Sequence, residues 1–559
     1  MFENQPKGLY ALALANTGER FGYYTMIAVF ALFLGENFGL SESVSGIIYG
    51  SFLGLVYFLP LVGGILADKF GFGRMVTIGI LIMFLGYLLL SVPLGSGGFA
   101  MAGMFAALLL ISFGTGLFKG NLQVMVGNLY DDPQYASRRD SGFSIFYMAI
   151  NIGALFAPTA AVSIMKWAEE SLGFSHADSY HFAFAVACAS LILSIAIYYA
   201  FRSTFRHVEG DKKKDAAAGV AQAEELTPEE TRQRITALIL VFAVVIFFWM
   251  AFHQNGLSLT YFANQFTQKT AEGVHTMPFN VWNLVAIIFI VYGLFGIFQN
   301  SSSKSKDFFT LVTLIAISVL VYRSVVIVED LTNLVALIAM VTGVFCLRLS
   351  TASQGKIISA IATCAGGGFL VYKIYTCAGA SVDISAPIFQ QFNPFYVVAL
   401  TPVSMAIFGA LAAKGKEPKA PRKIAYGMIV AAVAFCLMIF ASQGLLTPNE
   451  QKAAIEAGTA TYPASPYWLI GVYLVLTFGE LLLSPMGISF VSKVAPPKYN
   501  GMMMGGWFVA TAIGNLLVSV GGILWGGLSL TTVWLVFAGL CLLSALFMFA
   551  MMKRLEKVA

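Results

Sequence analysis

A carboxylate and a guanidinium stand side by side in the middle of an apolar run. The stretch Ala15-Asn16-Thr17-Gly18-Glu19-Arg20-Phe21-Gly22-Tyr23-Tyr24 lies inside a segment from about Leu9 to Leu34. That segment is long enough to cross a bilayer, which takes about 20 residues at 1.5 Å rise each. Charges at that depth cost on the order of 3 kcal/mol each, so they face a bundle interior or a wet path rather than lipid. On a helix Asn16, Glu19, Arg20 and Tyr23 fall at i, i+3, i+4 and i+7 and share one face. A Glu/Arg pair of this kind can also do no more than staple two helices. The stripe of polar groups reads instead as the lining of a substrate path.

Single polar groups recur in later apolar stretches. Phe113-Gly-Thr-Gly-Leu-Phe-Lys119-Gly-Asn121 puts a cation late in the fourth helix, where it either faces the path or snorkels to the interface. Phe146-Tyr147 precedes Asn151 and Gly153, and Trp249 precedes His253-Gln254-Asn255-Gly256. Phe392-Asn393-Pro394-Phe395 opens another segment. Gly479-Glu480 carries a lone acid mid-span before Ser484-Pro485, and Met502–Met504 leads to Trp507. A bare buried acid of this kind calls for a cation or a substrate amine to compensate it.

The elements that must position these groups are transmembrane helices. Hydrophobic residues make up 58% of the chain and charged residues 11%, well under the ~25% of soluble proteins. Apolar segments of 18 or more residues recur along the whole length, whereas a β-barrel would show short alternating strands. The net charge of +5 comes from basic loops and gives no argument for nucleic acid. Cys188, Cys346, Cys364, Cys377, Cys436 and Cys541 have no CxxC spacing and read as packing residues. No metal site and no cofactor is expected. No HExxH or Ser/His/Asp set appears, so an enzyme is not expected. The N-terminus carries no cleavable signal pattern.

Sixteen spans are expected, with both termini cytoplasmic. The basic loops at Lys69/Arg74, Arg138/Arg139, Arg202/Arg206/Lys212–Lys214, Lys304/Lys306, Arg348/Lys356, Lys414–Lys423, Lys493/Lys498 and Lys553/Arg554 then all fall on one side. The expected organisation is an N-terminal six-helix bundle at 1–201, a cytoplasmic linker at 202–234, and a C-terminal six-helix bundle at 235–559. Extra hydrophobic helices interrupt the last at about 279–377, and parity allows two or four crossings there. Within the linker, Thr227-Pro228-Glu229-Glu230 has the pattern of a helix start, with a threonine cap, proline at the first position and glutamate three after the cap. The lysine run reads as a topology and lipid-headgroup signal.

After the second helix, Gly63-Gly64-Ile65-Leu66-Ala67-Asp68-Lys69-Phe70-Gly71-Phe72-Gly73-Arg74 allows a tight turn and a gating network of Asp68, Lys69 and Arg74. It resembles the loop motif of the major facilitator superfamily. Taken with Glu19-Arg20-Phe21-x-Tyr23-Tyr24, Lys119, Phe146-Tyr147-x-x-Ile150-Asn151-x-Gly153, Asn393-Pro394 and Glu480 with Ser484-Pro485, the chain resembles the proton-dependent oligopeptide transporter family, from Glu19 to Asn515. The resemblance implies a major facilitator fold with inserted helices. It implies a bacterial di- and tripeptide importer working by alternating access and coupled to protons. It implies that Arg20 and Lys119 hold the peptide carboxylate and Glu480 the amino group. Tyr24, Tyr57, Asn151 and Asn393 would contact the backbone, with Trp507 near a side-chain pocket. Glu19, His253 and Glu480 are the candidate proton carriers, and the implied location is the inner plasma membrane.

The chain departs from the family pattern at three places. Asn16 stands where a glutamate is usual, Ile27 where an arginine is frequent, and His253 where an acid precedes the glutamine. Asparagine cannot titrate, while histidine ordinarily titrates near neutral pH. Two further readings therefore stand beside the first: a transporter or facilitator of other zwitterions, such as amino acids or modified peptides, without standard proton coupling, and a non-transporting peptide sensor.

Overall fold

The apolar segments fold as long helices because a bilayer offers the backbone no other hydrogen-bond partners. In the computed structural model the described residues are 5–210, 226–299, 302–324, 331–349, 353–376, 381–496 and 499–558. Lys212–Lys214, Cys377 and Lys498 lie outside them. The first six helices are α1 (Lys7–Phe38), α2 (Glu42–Phe70), α3 (Phe72–Ser91), α4 (Gly98–Asn128), α5 (Arg139–Leu172) and α6 (His176–Ala200). Gly71 joins α2 to α3 at φ 91°, a conformation that excludes most side chains and permits the one-residue turn.

Thr227 does start a helix. Its hydroxyl accepts from the Glu230 backbone N–H, and the Glu230 carboxylate accepts from the Thr227 N–H at 3.0 Å. The helix starts within the expected linker at 202–234 and runs without a break into the span as α7 (Pro228–Phe252). A single 3₁₀ turn at His253–Gly256 then breaks the span before α8 (Ser258–Gln265). The inserted block is α9 (Val281–Gln299), α10 (Ser303–Ser324), α11 (Leu331–Leu349) and α12 (Ser353–Thr376). The chain ends with α13 (Phe392–Ala413), α14 (Ala420–Ala441), the short α15 (Pro448–Glu456), α16 (Pro466–Val494), α17 (Asn500–Leu516), α18 (Ser519–Trp525) and α19 (Leu530–Val558).

Among the described residues, fourteen helical segments are long and apolar enough to cross a membrane, against the sixteen expected. The difference lies in the insertion, where Val281–Gln299 and Ser353–Lys373 qualify. α10 opens with Ser303-Lys304-Ser305-Lys306-Asp307, and the apolar part of α11 is limited to Thr332–Val344. Among the described residues the insertion thus holds two such spans, within the expected two to four.

The chain divides into two compact units. One comprises 1–267, 386–397 and 412–559, and contains every candidate site residue. In it α2 packs on α17 and α18 through small residues. A Cβ on Gly46 would stand 2.9 Å from the Gly522 Cα, and one on Gly50 would stand 2.7 Å from the Leu516 carbonyl oxygen. Such small-residue contacts let membrane helices approach backbone to backbone. Along α1, the Ser194 hydroxyl of α6 donates to the Ala15 carbonyl at 2.6 Å and Thr17 donates to the Ala149 carbonyl of α5 at 3.0 Å. These bonds fix the rotation of α1 and hence the direction of its polar stripe.

The other unit comprises 268–385 and 398–411. In it α10, α11 and α12 share a small core of Val321, Ala336 and Leu370. Two short strands, Thr270–Ala271 and Val382–Asp383, pair antiparallel at its base, and Tyr292 donates to the Val398 carbonyl at 3.2 Å.

Candidate functional site

Glu19 and Arg20 are 1% and 2% exposed, so α1 does bury its charges. They pair with each other: Arg20 Nε donates to Glu19 Oε2 and Nη2 to Oε1, both at 2.5 Å. The guanidinium also covers the Tyr23 ring at 4.7 Å, and Tyr23 meets Tyr24 edge to face at 5.3 Å. Asn16 is buried on the same helix. The pair is neutral as a unit, and two of the five guanidinium N–H groups are committed to it.

Lys119 on α4 is the net cation of this region, and among the described residues it makes no ion pair. Its Nζ sits 3.9 Å from the centre of the Tyr57 ring on α2. The Tyr57 ring lies 6.1 Å from the His253 ring, which lies 5.2 Å from Trp249. Lys119 thus faces inward rather than snorkelling, held by an aromatic face.

The acid comes from a helix late in the chain. Glu480 of α16 is 8% exposed. Its Oε2 accepts from Asn393 Nδ2 of α13 at 2.9 Å, and its Oε1 accepts from the Tyr147 hydroxyl of α5 at 3.4 Å. Asn393 also donates to Thr477 Oγ1 at 3.0 Å, and Asn151 donates to the Tyr147 carbonyl at 3.0 Å. Tyr24 and Tyr57 are each within electrostatic reach of both Arg20 and Glu480. The structure therefore gathers Arg20, Tyr24, Tyr57, Lys119, Asn393 and Glu480 in one region, with Arg20 and Glu480 buried and the other four half-buried, while Asn151 bonds the Tyr147 backbone.

Trp507 is 3% exposed and lies against the Gly487 position of α16, with Phe242 at 6.4 Å. Here it wedges helices together. Asp68, Lys69 and Arg74 are exposed, and among the described residues none of them makes an ion pair. The charge cluster at this turn is a different one: Glu209 accepts from Arg202 Nη2 at 2.7 Å and from Tyr198 at 2.9 Å, while its side chain lies against Gly73. Sequence reasoning missed it because Arg202 and Glu209 belong to a chain segment that folds back onto the α2–α3 turn. The signal was their spacing, with two one-turn 3₁₀ helices between the spans.

The break after α7 is built by one glutamine. Gln254 is fully buried; its Nε2 donates to the Met250 and Val518 carbonyls, both at 3.1 Å, and its Oε1 accepts from Ser258 at 2.7 Å. Val518 lies between α17 and α18, so two interrupted helices satisfy one another's loose backbone groups. Unwound backbone at membrane depth is tolerated where protein covers it, and it often flanks transport sites. Among the described residues, no three His, Cys, Asp or Glu side chains converge as metal ligands.

Comparison with known proteins follows this geometry. The profile of the POT family matches residues 73–224 and 373–521, more than half of the chain. The peptide transporter YePEPT of Yersinia enterocolitica is 27% identical over 527 residues, spanning 93% of this chain and 88% of its own. The dipeptide and tripeptide permease A of Escherichia coli K12 is 26% identical over 516 residues, spanning 92% and 83%. In fold, the chain is similar to a crystal structure of a POT-family transporter in complex with 5-aminolevulinic acid, with a TM-score of 0.67 at 18% identity over 99% of this chain and 98% of that one. It is equally similar to a mutant peptide transporter POT in complex with alafosfalin, with a TM-score of 0.66 at 23% identity over 100% and 96%.

Proposed function

The chain belongs to the POT family, and on that premise we propose that it imports di- and tripeptides by alternating access. The carrying observation is the pair of opposed poles: Lys119 beside Tyr57 with Arg20 nearby, and Glu480 held by Asn393 and Tyr147. An extended peptide has its carboxylate and its amine at opposite ends. Lys119 and the free part of the Arg20 fork take the carboxylate. Glu480 takes the amine, which competes with Tyr147 for Oε1. Tyr24, Tyr57, Asn151 and Asn393 border the peptide backbone, and Trp507 shapes the wall behind it. Each pole sits on a different half, so the ligand bridges them and favours the closed form by its differential affinity.

Protons are the driving partner in this reading. Glu19, His253 and Glu480 are the groups that exchange them, and Asp68, Lys69 and Arg74 line the moving loop at the membrane surface. The protein sits in the inner plasma membrane with both termini in the cytoplasm, its basic loops on anionic lipid. The domain reading is two six-helix bundles at 1–201 and 235–559, with a linker at 202–234 and an insertion near 279–377. A second reading is uncoupled facilitation, favoured by the neutral Asn16 and by His253 standing in the α7 break with no acid bonded to it.

Purified protein in liposomes tests both. Uptake of labelled dialanine that rises with an inward proton gradient supports symport. Uptake that ignores the gradient supports the facilitator. No uptake of any peptide overturns the proposal.

A further inference from the structure

Among the described residues, the inserted helices leave a cleft that no side chain fills. α9 and α10 close against each other at a glycine: a Cβ on Gly293 would stand 3.2 Å from the Phe309 carbonyl oxygen. α11 and α12 close in the same way. A Cβ on Gly343 would stand 2.8 Å from the Ser359 carbonyl oxygen, and one on Gly366 would stand 2.9 Å from the Met340 nitrogen. The seam between α10 and α11 is different. These two helices meet at one end, where Val321, Ala336 and Leu370 form the small core. Away from that core they border a cavity of about 300 Å³, lined by Leu311, Leu314, Ile315 and Val319 of α10 and by Leu337 and Val341 of α11. The one polar side chain among its lining residues, Ser318, donates its hydroxyl to the Leu314 carbonyl at 2.8 Å. The cavity thus offers water no side-chain partner and suits an apolar occupant.

The direction of the cleft follows from the helix order. Val321 is near the end of α10, Ala336 near the start of α11 and Leu370 near the end of α12. The start of α10, the end of α11 and the start of α12 therefore lie toward the opposite mouth. That mouth is basic. Lys304 and Lys306 stand in the first turn of α10 and Lys356 in the first turn of α12, while Asp307 is the one acid in the sequence of the three helices. Lys304 and Lys356 are exposed and Lys306 is half-buried. The lining on α10, Leu311 to Val319, rises ~12 Å at 1.5 Å per residue. That is close to the ~15 Å depth of one leaflet's hydrocarbon.

We propose that this cleft binds an anionic phospholipid, with an acyl chain between α10 and α11 and the phosphate at Lys304, Lys306 and Lys356. The lysines belong to loops read as cytoplasmic, the side on which lipid headgroups carry negative charge. The basic mouth selects the occupant. A second copy of this chain docked through the same face would set the same lysines against each other, whereas an anionic headgroup pairs with them. Lipid on an ordinary helix face meets one wall; here two walls and the closed end hold the chain. The site belongs to the inserted unit alone and does not depend on the transport reading.

The test is native mass spectrometry of the purified full chain, titrated with phosphatidylglycerol and with phosphatidylcholine of the same acyl chains. One retained phosphatidylglycerol is expected, at a concentration at least roughly tenfold lower than phosphatidylcholine requires. Ile315→Trp, which fills the cleft, should remove that adduct. Leu543→Trp, at an exposed apolar position of α19, should keep it. Lys304→Gln combined with Lys306→Gln should bring phosphatidylglycerol down to the phosphatidylcholine level. Glycerol phosphate, which has the headgroup charge without the chains, should not displace the lipid. Equal retention of the two lipids, an adduct unchanged by Ile315→Trp, or displacement by glycerol phosphate overturns the proposal. A dimer that Ile315→Trp abolishes gives the cleft to a second copy and overturns it as well. The lysine pair stands outside the cavity lining and decides the question by itself if Ile315→Trp folds poorly.

Discussion

Asn393 Nδ2 stands 2.9 Å from Glu480 Oε2, and the same amide reaches Thr477 at 3.0 Å. The carboxylate at the acidic pole is thereby aimed from its own half of the molecule. The Tyr147 hydroxyl, at 3.4 Å from the other half, is the longer and weaker of its two contacts. On the proposed peptide reading, a ligand amine arriving at Glu480 would displace the tyrosine at small cost and keep the asparagine.

Glu480→Gln should therefore weaken peptides with a free amino terminus far more than N-acylated ones. Hydrogen bonds to charged groups contribute about 1.5–3 kcal/mol, which is on the order of ten- to a hundredfold in affinity. Competition assays with matched free and acylated dipeptides check this. Equal losses on both would remove the amine-clamp role.

Tyr147→Phe is expected to leave affinity within a few-fold of the native value, because the contact it removes is long and is surrendered on binding. A loss as large as that of Glu480→Gln would show that Tyr147 itself touches the peptide.

Lys119→Ala should reduce affinity for free dipeptides by at least roughly tenfold, on the same scale for a charge-assisted bond. C-amidated analogues should be indifferent to it. The comparison is made by uptake competition, and matching losses would sink the carboxylate assignment.

Gly50→Val should lower the unfolding temperature of the purified protein in detergent. The added side chain meets the Leu516 carbonyl and the Ser519 backbone under 3 Å away, and overpacking of this kind costs typically 1–3 kcal/mol. Gly64→Val, at a position with open space around it, serves as the control. Equal melting of the two variants would mean that the α2–α17 seam yields without strain.

The short helix α15 offers a pH test outside the membrane. Glu450 accepts from the Thr447 N–H at 2.8 Å and from its hydroxyl, and the backbone bond first, then the side-chain bond, hold its carboxyl below the ordinary value of 4.5. A depressed carboxyl contributes stability that is present above its unfolded value and fades as pH falls through its folded one. Amide protection of 448–456, corrected for intrinsic exchange, should be complete at neutral pH and decline below about pH 4.5. Thr447→Ala should lower it at every pH, since losing such a cap costs about 1 kcal/mol.

What the chain disclosed in advance was whatever depends on neighbours in sequence. The Thr227 capping box, the Gly71 turn and the burial of Glu19 with Arg20 follow from local chemistry, and each was readable from a few residues. The inward aim of Lys119 was not, because the choice between cavity and interface depends on the Tyr57 ring, brought from another helix. The cleft between α10 and α11 gave no sign at all, since an apolar run reads alike whether its helix meets a neighbour along its whole length or at one end. The Asp68 loop misled for the same reason in reverse. Its charges promised a network, but the segment holding Arg202 and Glu209 folded back to supply one instead.

The hydrogen bond from Gln254 to the Val518 carbonyl has a mechanical meaning. Each of the two kinked spans has a joint, and one side chain is the pin through both. Bending at either joint without the other would strip Gln254 of a buried partner, so the two must flex in step. The breaks in α7 and in α17–α18 are thereby coupled through one buried side chain.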